Sequence, residues 1–107
     1  MKVIYSRAVE EYLQELIEIL YRKEYFGYKE SACQYVDSLI NEIDTSIYLK
    51  QKKIAPDYFS KYGNNLFYVS FPKNKNTTWY VFFNYEDDLY FIRYISNNHI
   101  ISHHFNL

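Results

Sequence analysis

Three runs of aromatic and branched residues decide the fold, and they lie in Leu66–Ile95, which reads LFYVSFPKNKNTTWYVFFNYEDDLYFIRYI. Runs rich in Phe, Tyr, Trp, Val and Ile are typical of β-strands. The connector Pro72–Asn76 contains a proline and two asparagines, and the connector Glu86–Asp88 is a short acidic turn. Because connectors this short join antiparallel neighbours, the stretch predicts a three-stranded antiparallel meander.

The middle strand of this meander carries large rings at consecutive positions. Trp79 and Phe83 would lie on one face of the sheet, whereas Tyr80 and Phe82 would lie on the other. A sheet with one face in water has polar residues at every second position. Both faces are therefore predicted to be apolar. The second face is either covered by the chain or remains open as an aromatic groove for a ligand or partner.

The composition limits the class of protein. A length of 107 residues with 21% aromatic residues, two Gly and two Pro predicts one compact domain. The net charge of −1 provides no global basic field, so any phosphate-binding surface must be a local patch. The single Cys33 cannot form an internal disulfide, and no apolar run has the length of a signal or membrane segment. We expect a cytoplasmic protein without membrane contact.

The chain begins with a strand and a first helix. Lys2–Tyr5 is too short an apolar run for a helix and predicts an edge or inserted strand. Ser6 is a candidate N-cap, and apolar residues at three- and four-residue steps predict a helix over about 7–25. Gly27 would end this helix as a left-handed cap.

A second helix is predicted over about 31–49, where Ser31 and Gln34 form a candidate capping box. Two helices joined by a few residues form a hairpin whose apolar stripe packs on one face of the sheet. The cationic run Lys50–Lys53 is either a solvated helix end or a phosphate-facing cluster. Pro56–Asn65 is predicted to be a connecting loop held on the domain by its aromatic residues.

Five short sequence patterns follow one another along the chain. They are Lys2–Ser6 leading into a helix, Ser31–Ala32 opening the second helix, Ala55–Gly63 leading into Leu66–Val69, Trp79–Phe83, and Ile92–Ile95 before the tail. Over nearly the whole chain this order resembles the RelE/ParE superfamily of bacterial type II toxins. The resemblance implies an α+β fold: an N-terminal strand, a two-helix hairpin on one face of an antiparallel sheet, and a C-terminal three-stranded meander.

The resemblance also implies a function. Members of the superfamily are either ribosome-dependent mRNA endonucleases that inhibit translation or inhibitors of DNA gyrase, and a small antitoxin neutralises each of them. The fold does not choose between these activities. We expect an endonuclease acting on the ribosome and mRNA, with gyrase inhibition, or an inactive member acting by protein binding alone, as alternatives. The expected partner is a cognate antitoxin, and a homodimer is considered as well.

A ribonuclease that uses the 2′-hydroxyl as nucleophile needs a base, an acid and a cation, and it requires no metal or other cofactor. Arg93 is the cation expected to offset charge on the phosphate, because it matches a position where many gyrase-type relatives carry Arg. It would share a face of its strand with Phe91 and Ile95. An ion pair with Glu86, Asp87 or Asp88 is the structural alternative.

Three histidines are candidates for proton transfer, because histidine titrates near neutral pH. His103 and His104 resemble the His-Tyr ending of one nuclease branch of the superfamily. His99, with Asn97 and Asn98, occupies a corner where the nucleases usually carry Arg. The structural alternative is that these histidines belong to an exposed tail. A metal site is disfavoured, because adjacent histidines diverge on a strand.

The remaining candidates are two lysines and four tyrosines. Lys73 and Lys75 lie in a connector that could reach an RNA backbone. The tyrosines, which are expected to form a partner-binding aromatic face, are Tyr68, Tyr80, Tyr90 and Tyr94. Core filling and base stacking are the alternatives for these rings.

Overall fold

A five-stranded sheet with two long helices on one face forms the protein, as the computed structural model describes it for residues 1–23 and 26–105. In chain order the elements are β1 Lys2–Tyr5, α1 Arg7–Arg22, α2 Lys29–Ser46, β2 Lys53–Ile54, β3 Phe67–Pro72, β4 Thr78–Glu86, β5 Leu89–Asn97 and α3 Asn98–Ile101. Three 3₁₀ segments, Ile47–Leu49, Asp57–Tyr62 and Ser102–His104, complete the chain. The predicted α+β class, with its helix hairpin and C-terminal meander, is confirmed.

The sheet is mixed, with the strand order β1-β5-β4-β3-β2. The meander β3–β5 is antiparallel, as its short connectors predict. The prediction of a wholly antiparallel sheet is wrong, because β1 pairs with β5 in parallel, with Lys2 opposite Leu89 and Tyr5 opposite Ile92. No short connector joins these two strands, so no turn dictates their relative direction. The two-residue strand β2, which the sequence did not predict, adds an edge beside β3.

The helix hairpin follows from its apolar stripe and its caps. The hydroxyl of Ser6 accepts a hydrogen bond from the Val9 amide at 3.2 Å, as the N-cap prediction requires. One side of α1 buries Val9, Leu13 and Leu16 against the sheet. Within the described ranges, no helix combines the length and apolar character needed to cross a membrane.

Two predicted helix boundaries are wrong. The backbone amide of Lys23 donates a hydrogen bond of 3.0 Å to the Ile19 carbonyl and closes α1. Gly27 therefore lies beyond the end of the helix, and its φ is not positive. Residues 24 and 25, which the predicted helix included, lie outside the described residues.

The second helix begins with Tyr28 as N-cap, three residues before the N-cap position that a capping box at Ser31 requires. The Ser31 amide already donates to the Tyr28 carbonyl at 3.1 Å, so Ser31 lies inside the first turn. The α-helical hydrogen bonding of α2 ends at Ser46, and a 3₁₀ turn continues to Leu49.

The acidic turn between β4 and β5 is a two-residue hairpin. Asp87 and Asp88 have φ values of 50° and 63°, and Glu86 lies opposite Leu89. Two consecutive positive φ values match the right-handed twist of the flanking strands, and Asp tolerates this conformation. The predicted tight reversal is confirmed.

A β-bulge at Arg93 changes which side chains share a face. Tyr94 lies opposite Phe82 and Ile92 lies opposite Phe83, so Arg93 is an extra residue in β5. Ile92 and Ile95 pack toward the helices, whereas Tyr94 packs on the other side. The prediction that Ile95 shares a face with Arg93 is wrong, because it assumed an unbroken alternation.

Both faces of the sheet carry a hydrophobic cluster. The helix-side cluster contains residues from both helices and all three meander strands, among them Trp79, Val81, Phe83, Tyr90 and Ile92. The opposite face, called the outer face below, buries Phe59, Leu66, Phe82, Ile101 and Phe105. The outer face is therefore partly covered by the Asp57–Tyr62 segment and by residues 98–105.

Candidate functional site

The outer face carries six of the predicted site residues, which are Tyr68, Tyr80, Arg93, Tyr94, His103 and His104. The bulge in β5 directs Tyr94 to this face, and the C-terminal segment folds back over it. Ile101 is buried and Phe105 is 7% exposed, so they anchor the two histidines from both sides. Residues 98–105 are thus docked on the sheet through Ile101 and Phe105, although His99 and His103 remain exposed. Asn106 and Leu107 lie outside the described residues.

His104 stacks on Tyr58, with ring centroids 3.5 Å apart and planes inclined by 5°. The Lys61 ammonium lies over the Tyr58 ring, 4.0 Å from its centroid, and is 5.6 Å from the centroid of Tyr62. Desolvation lowers the pKa of His104, and the nearby His103 and Lys61 lower it further. His104 is therefore neutral at pH 7, and a neutral imidazole can accept a proton.

This stack predicts a specific pH dependence of stability. The pKa of His104 in the folded protein lies below its ordinary value of 6.5, so the unfolded chain binds more protons in that window. The free energy of unfolding should fall as the pH drops through 6.5 toward the folded pKa. In His104→Gln this fall should be smaller when urea unfolding is followed from pH 7.5 to 5.0. His99→Gln serves as the matched control, and an unchanged slope in His104→Gln would contradict the effect.

A second stacked pair lies on the same face. The rings of Tyr62 and Tyr94 have centroids 3.7 Å apart and planes inclined by 5°. Desolvation raises the pKa of Tyr62, and the neighbouring Tyr94 raises it further, so its hydroxyl stays protonated. Tyr58 in the first pair is 40% exposed. Flat, partly exposed rings of this kind can stack on nucleic-acid bases.

Arg93 lies in β5, beside Gly63, which follows the Asp57–Tyr62 segment. Its guanidinium carbon is 5.2 Å from the Phe91 ring centroid, and a side chain at Gly63 would begin 3.5 Å from its Nε. The predicted ion pair is wrong: within the described part of the chain, Arg93 pairs with no carboxylate. Asp88 instead accepts a hydrogen bond from the Tyr85 hydroxyl at 2.9 Å. The guanidinium fork is suited to binding an anion.

Lys73, Lys75 and His99 lie apart from this cluster. The Lys73 ammonium is 3.2 Å from a Glu42 carboxylate oxygen of α2, and its side chain is 16% exposed. The His99 Nε2 lies 3.1 Å from the Thr77 hydroxyl, and Lys75 is exposed in the β3–β4 connector. The structure does not bring these three residues into contact with Arg93, and their predicted roles stay predictions.

The four predicted tyrosines do not form one face. Tyr68 and Tyr80 lie on the outer face and pack on Phe105, with centroids 5.0 and 4.8 Å away. Tyr90 lies on the helix side, is 3% exposed and belongs to the core, so its placement in the partner-binding face is wrong. The bulge explains the error, because it reverses the alternation between Tyr90 and Tyr94.

The sequence interpretation missed the contribution of the Asp57–Tyr62 segment. It treated the segment as a loop, whereas a 3₁₀ helix places Tyr58 and Lys61 on one side. Tyr58 and Lys61 are three residues apart, and side chains at this spacing lie on the same side of a 3₁₀ helix. This spacing, directly after Pro56, is the signal that could have indicated the turn. Within residues 1–23 and 26–105, no three His, Cys, Asp or Glu side chains converge as metal ligands would.

Comparisons with protein-family models, with curated proteins and with solved structures find no match for this chain. The geometry of the outer face therefore carries the functional argument. That face combines two cations, two stacked ring pairs and two adjacent histidines.

Proposed function

We propose that this chain is a RelE/ParE-like toxin that inhibits translation by cleaving mRNA on the ribosome. The observation that carries the proposal is that Lys61 and the His103–His104 pair gather at the Tyr58 ring, while Arg93 lies beside Gly63 at the end of the same 3₁₀ segment. The order of strand, helix hairpin and meander supports the resemblance to this superfamily. A cognate antitoxin that covers the outer face would silence the protein.

The proposed reaction is an attack of an RNA 2′-hydroxyl on the adjacent phosphorus. The bond to the 5′-oxygen breaks, leaving a 2′,3′-cyclic phosphate and a 5′-hydroxyl. His104, which is neutral at pH 7, would take the proton of the attacking hydroxyl. His103, whose ring centroid lies 3.8 Å from that of His104, would protonate the leaving oxygen. Arg93 would offset the negative charge that develops on the phosphate oxygens.

Substrate binding would depend on stacking more than on charge. Bases of a single strand would stack on the ring pairs Tyr58–His104 and Tyr62–Tyr94, and Lys61 would contact the backbone. A net charge of −1 provides little long-range attraction for naked RNA. We therefore expect cleavage to need the ribosome, which would hold the mRNA in place.

The test uses the purified full chain in a translation system that reports mRNA cleavage. Wild type should cut translated mRNA, and the double variant His103→Ala/His104→Ala should cut about 10²–10⁴-fold more slowly, because proton transfer is lost. His99→Ala tests the third predicted histidine separately, and it should cut like wild type if proton transfer belongs to His103 and His104, since His99 lies on the helix side of the sheet. Thermal melts should show that each variant is folded.

Three outcomes would overturn the proposal. Equal cleavage by wild type and the double variant would remove the histidine pair from the reaction. A wild type that cuts no mRNA but blocks supercoiling by purified DNA gyrase would favour the gyrase alternative. If it does neither and only binds its antitoxin, the chain acts by protein contact alone.

A further inference from the structure

A cavity of about 480 Å³ lies on the helix side, between the helix hairpin and one end of the sheet. Its apolar walls include Leu16, Leu20, Phe26, Trp79 and Ile100. The volume falls in the range of about 300–1,000 Å³ that is usual for small-molecule sites. The cavity lies across the sheet from the outer face, so its use is independent of the proposed nuclease function.

Aromatic groups shape the interior of this cavity. The Trp79 indole donates a hydrogen bond of 2.8 Å to the Tyr35 hydroxyl, and the Phe26 and Tyr35 centroids are 5.5 Å apart. Because Tyr35 accepts from Trp79, its own hydroxyl hydrogen can serve another acceptor. Burial, as the main cause, raises the pKa of Tyr12 to about 12, so this hydroxyl also remains a donor at neutral pH.

The charge of the lining points to the sign of the ligand. Lys23 and His99 line the cavity, whereas no Asp or Glu does so among the described lining residues. The side-chain oxygen of Asn97 already accepts a hydrogen bond of 3.0 Å from the backbone amide of His99. Among the described lining residues, the Lys23 ammonium and the tyrosine hydroxyls therefore offer donors beside an aromatic interior, which suits an acceptor-rich anion on a flat apolar body.

We propose that this cavity binds a small aromatic anion, with its rings beside Trp79 and Tyr35 and its acidic group toward Lys23 and His99. The probe is 8-anilinonaphthalene-1-sulfonate, and N-phenyl-1-naphthylamine is the matched neutral compound without the sulfonate. One sulfonate probe should bind per chain. Its emission should be excited by energy transfer from Trp79, the single tryptophan. The anionic probe should bind about tenfold more tightly than the neutral one.

Two pairs of variants locate the site. Lys23→Met should lower the affinity for the anionic probe about tenfold while leaving the neutral probe unchanged, whereas Lys53→Met in β2 should alter neither. Leu20→Trp should fill the cavity and abolish binding of both probes, as followed by calorimetry. Leu49→Trp, at an exposed position of the Ile47–Leu49 segment, is its control.

Binding to the native state should also raise the melting temperature as the probe concentration increases. Three results would overturn the proposal: equal affinity for the anionic and neutral probes in wild type, unchanged binding in Leu20→Trp, or a lower melting temperature with the probe. The last result would indicate binding to unfolded chains.

Discussion

Replacing Arg93 by Ala is expected to lower the rate of ribosome-dependent mRNA cleavage by about 10²–10³-fold, since one preorganised charge at the phosphate is removed. Arg93 lies at the bulge of β5, beside the Phe91 ring and next to Gly63. The melting temperature should change little, because the side chain is only partly buried and makes no ion pair with a described carboxylate. Single-turnover cleavage of a programmed ribosome complex measures the rate.

Two further variants sharpen this test. Arg93→Lys keeps the charge but loses the planar fork, so its rate should lie between those of wild type and Arg93→Ala. Arg7→Ala removes an exposed arginine at the start of α1 and should cut like wild type. Wild-type rates in both Arg93 variants would exclude Arg93 from phosphate contact.

The main elements could be predicted because their signals are local. The apolar stripe of α1, the Ser6 cap and the acidic turn at Asp87 and Asp88 each depend on residues within a few positions. The short connectors then determined the order of the meander. The parallel pairing of β1 with β5 could not be predicted in this way, because most of the chain lies between these two strands in the sequence.

The bulge was missed because nothing in its local sequence marks it. Ile92, Arg93 and Tyr94 contain no Gly or Pro and read as an uninterrupted strand. Only the pairing with β4 reveals that one residue is extra. Since this bulge directs Tyr94 to the outer face, onto the same side as Arg93, the composition of the candidate site depended on a feature of tertiary structure.

The docking of the C-terminal segment was missed for a related reason. His104 contacts Tyr58, and Phe105 contacts Phe59, although these partners are far apart in the sequence. A polar segment near the end of a chain has no periodic pattern that would predict such contacts. The ring pairs of the outer face could thus be recognised only after the chain had been folded.

Phe82→Ala is expected to lower the free energy of unfolding by about 3–5 kcal/mol. The Phe82 ring is fully buried and stacks on Phe59, with centroids 4.3 Å apart, and it also lies near Tyr94 and Phe105. Removing it leaves a cavity under both segments that cover the outer face. Urea unfolding followed by circular dichroism measures the loss, and a change below about 1 kcal/mol would contradict this packing.

Phe83→Ala is the matched control, because Phe83 is the next residue of β4, is equally buried and packs on the helix side. A similar loss of stability is expected, since the same ring is removed from a comparable environment. The two variants should nevertheless differ in cleavage when both are assayed at a temperature at which they remain folded. Phe82→Ala loosens the supports of His104 and Tyr94, whereas Phe83→Ala leaves them in place. Equal cleavage by these two equally destabilised variants would mean that the site does not depend on the outer-face cluster.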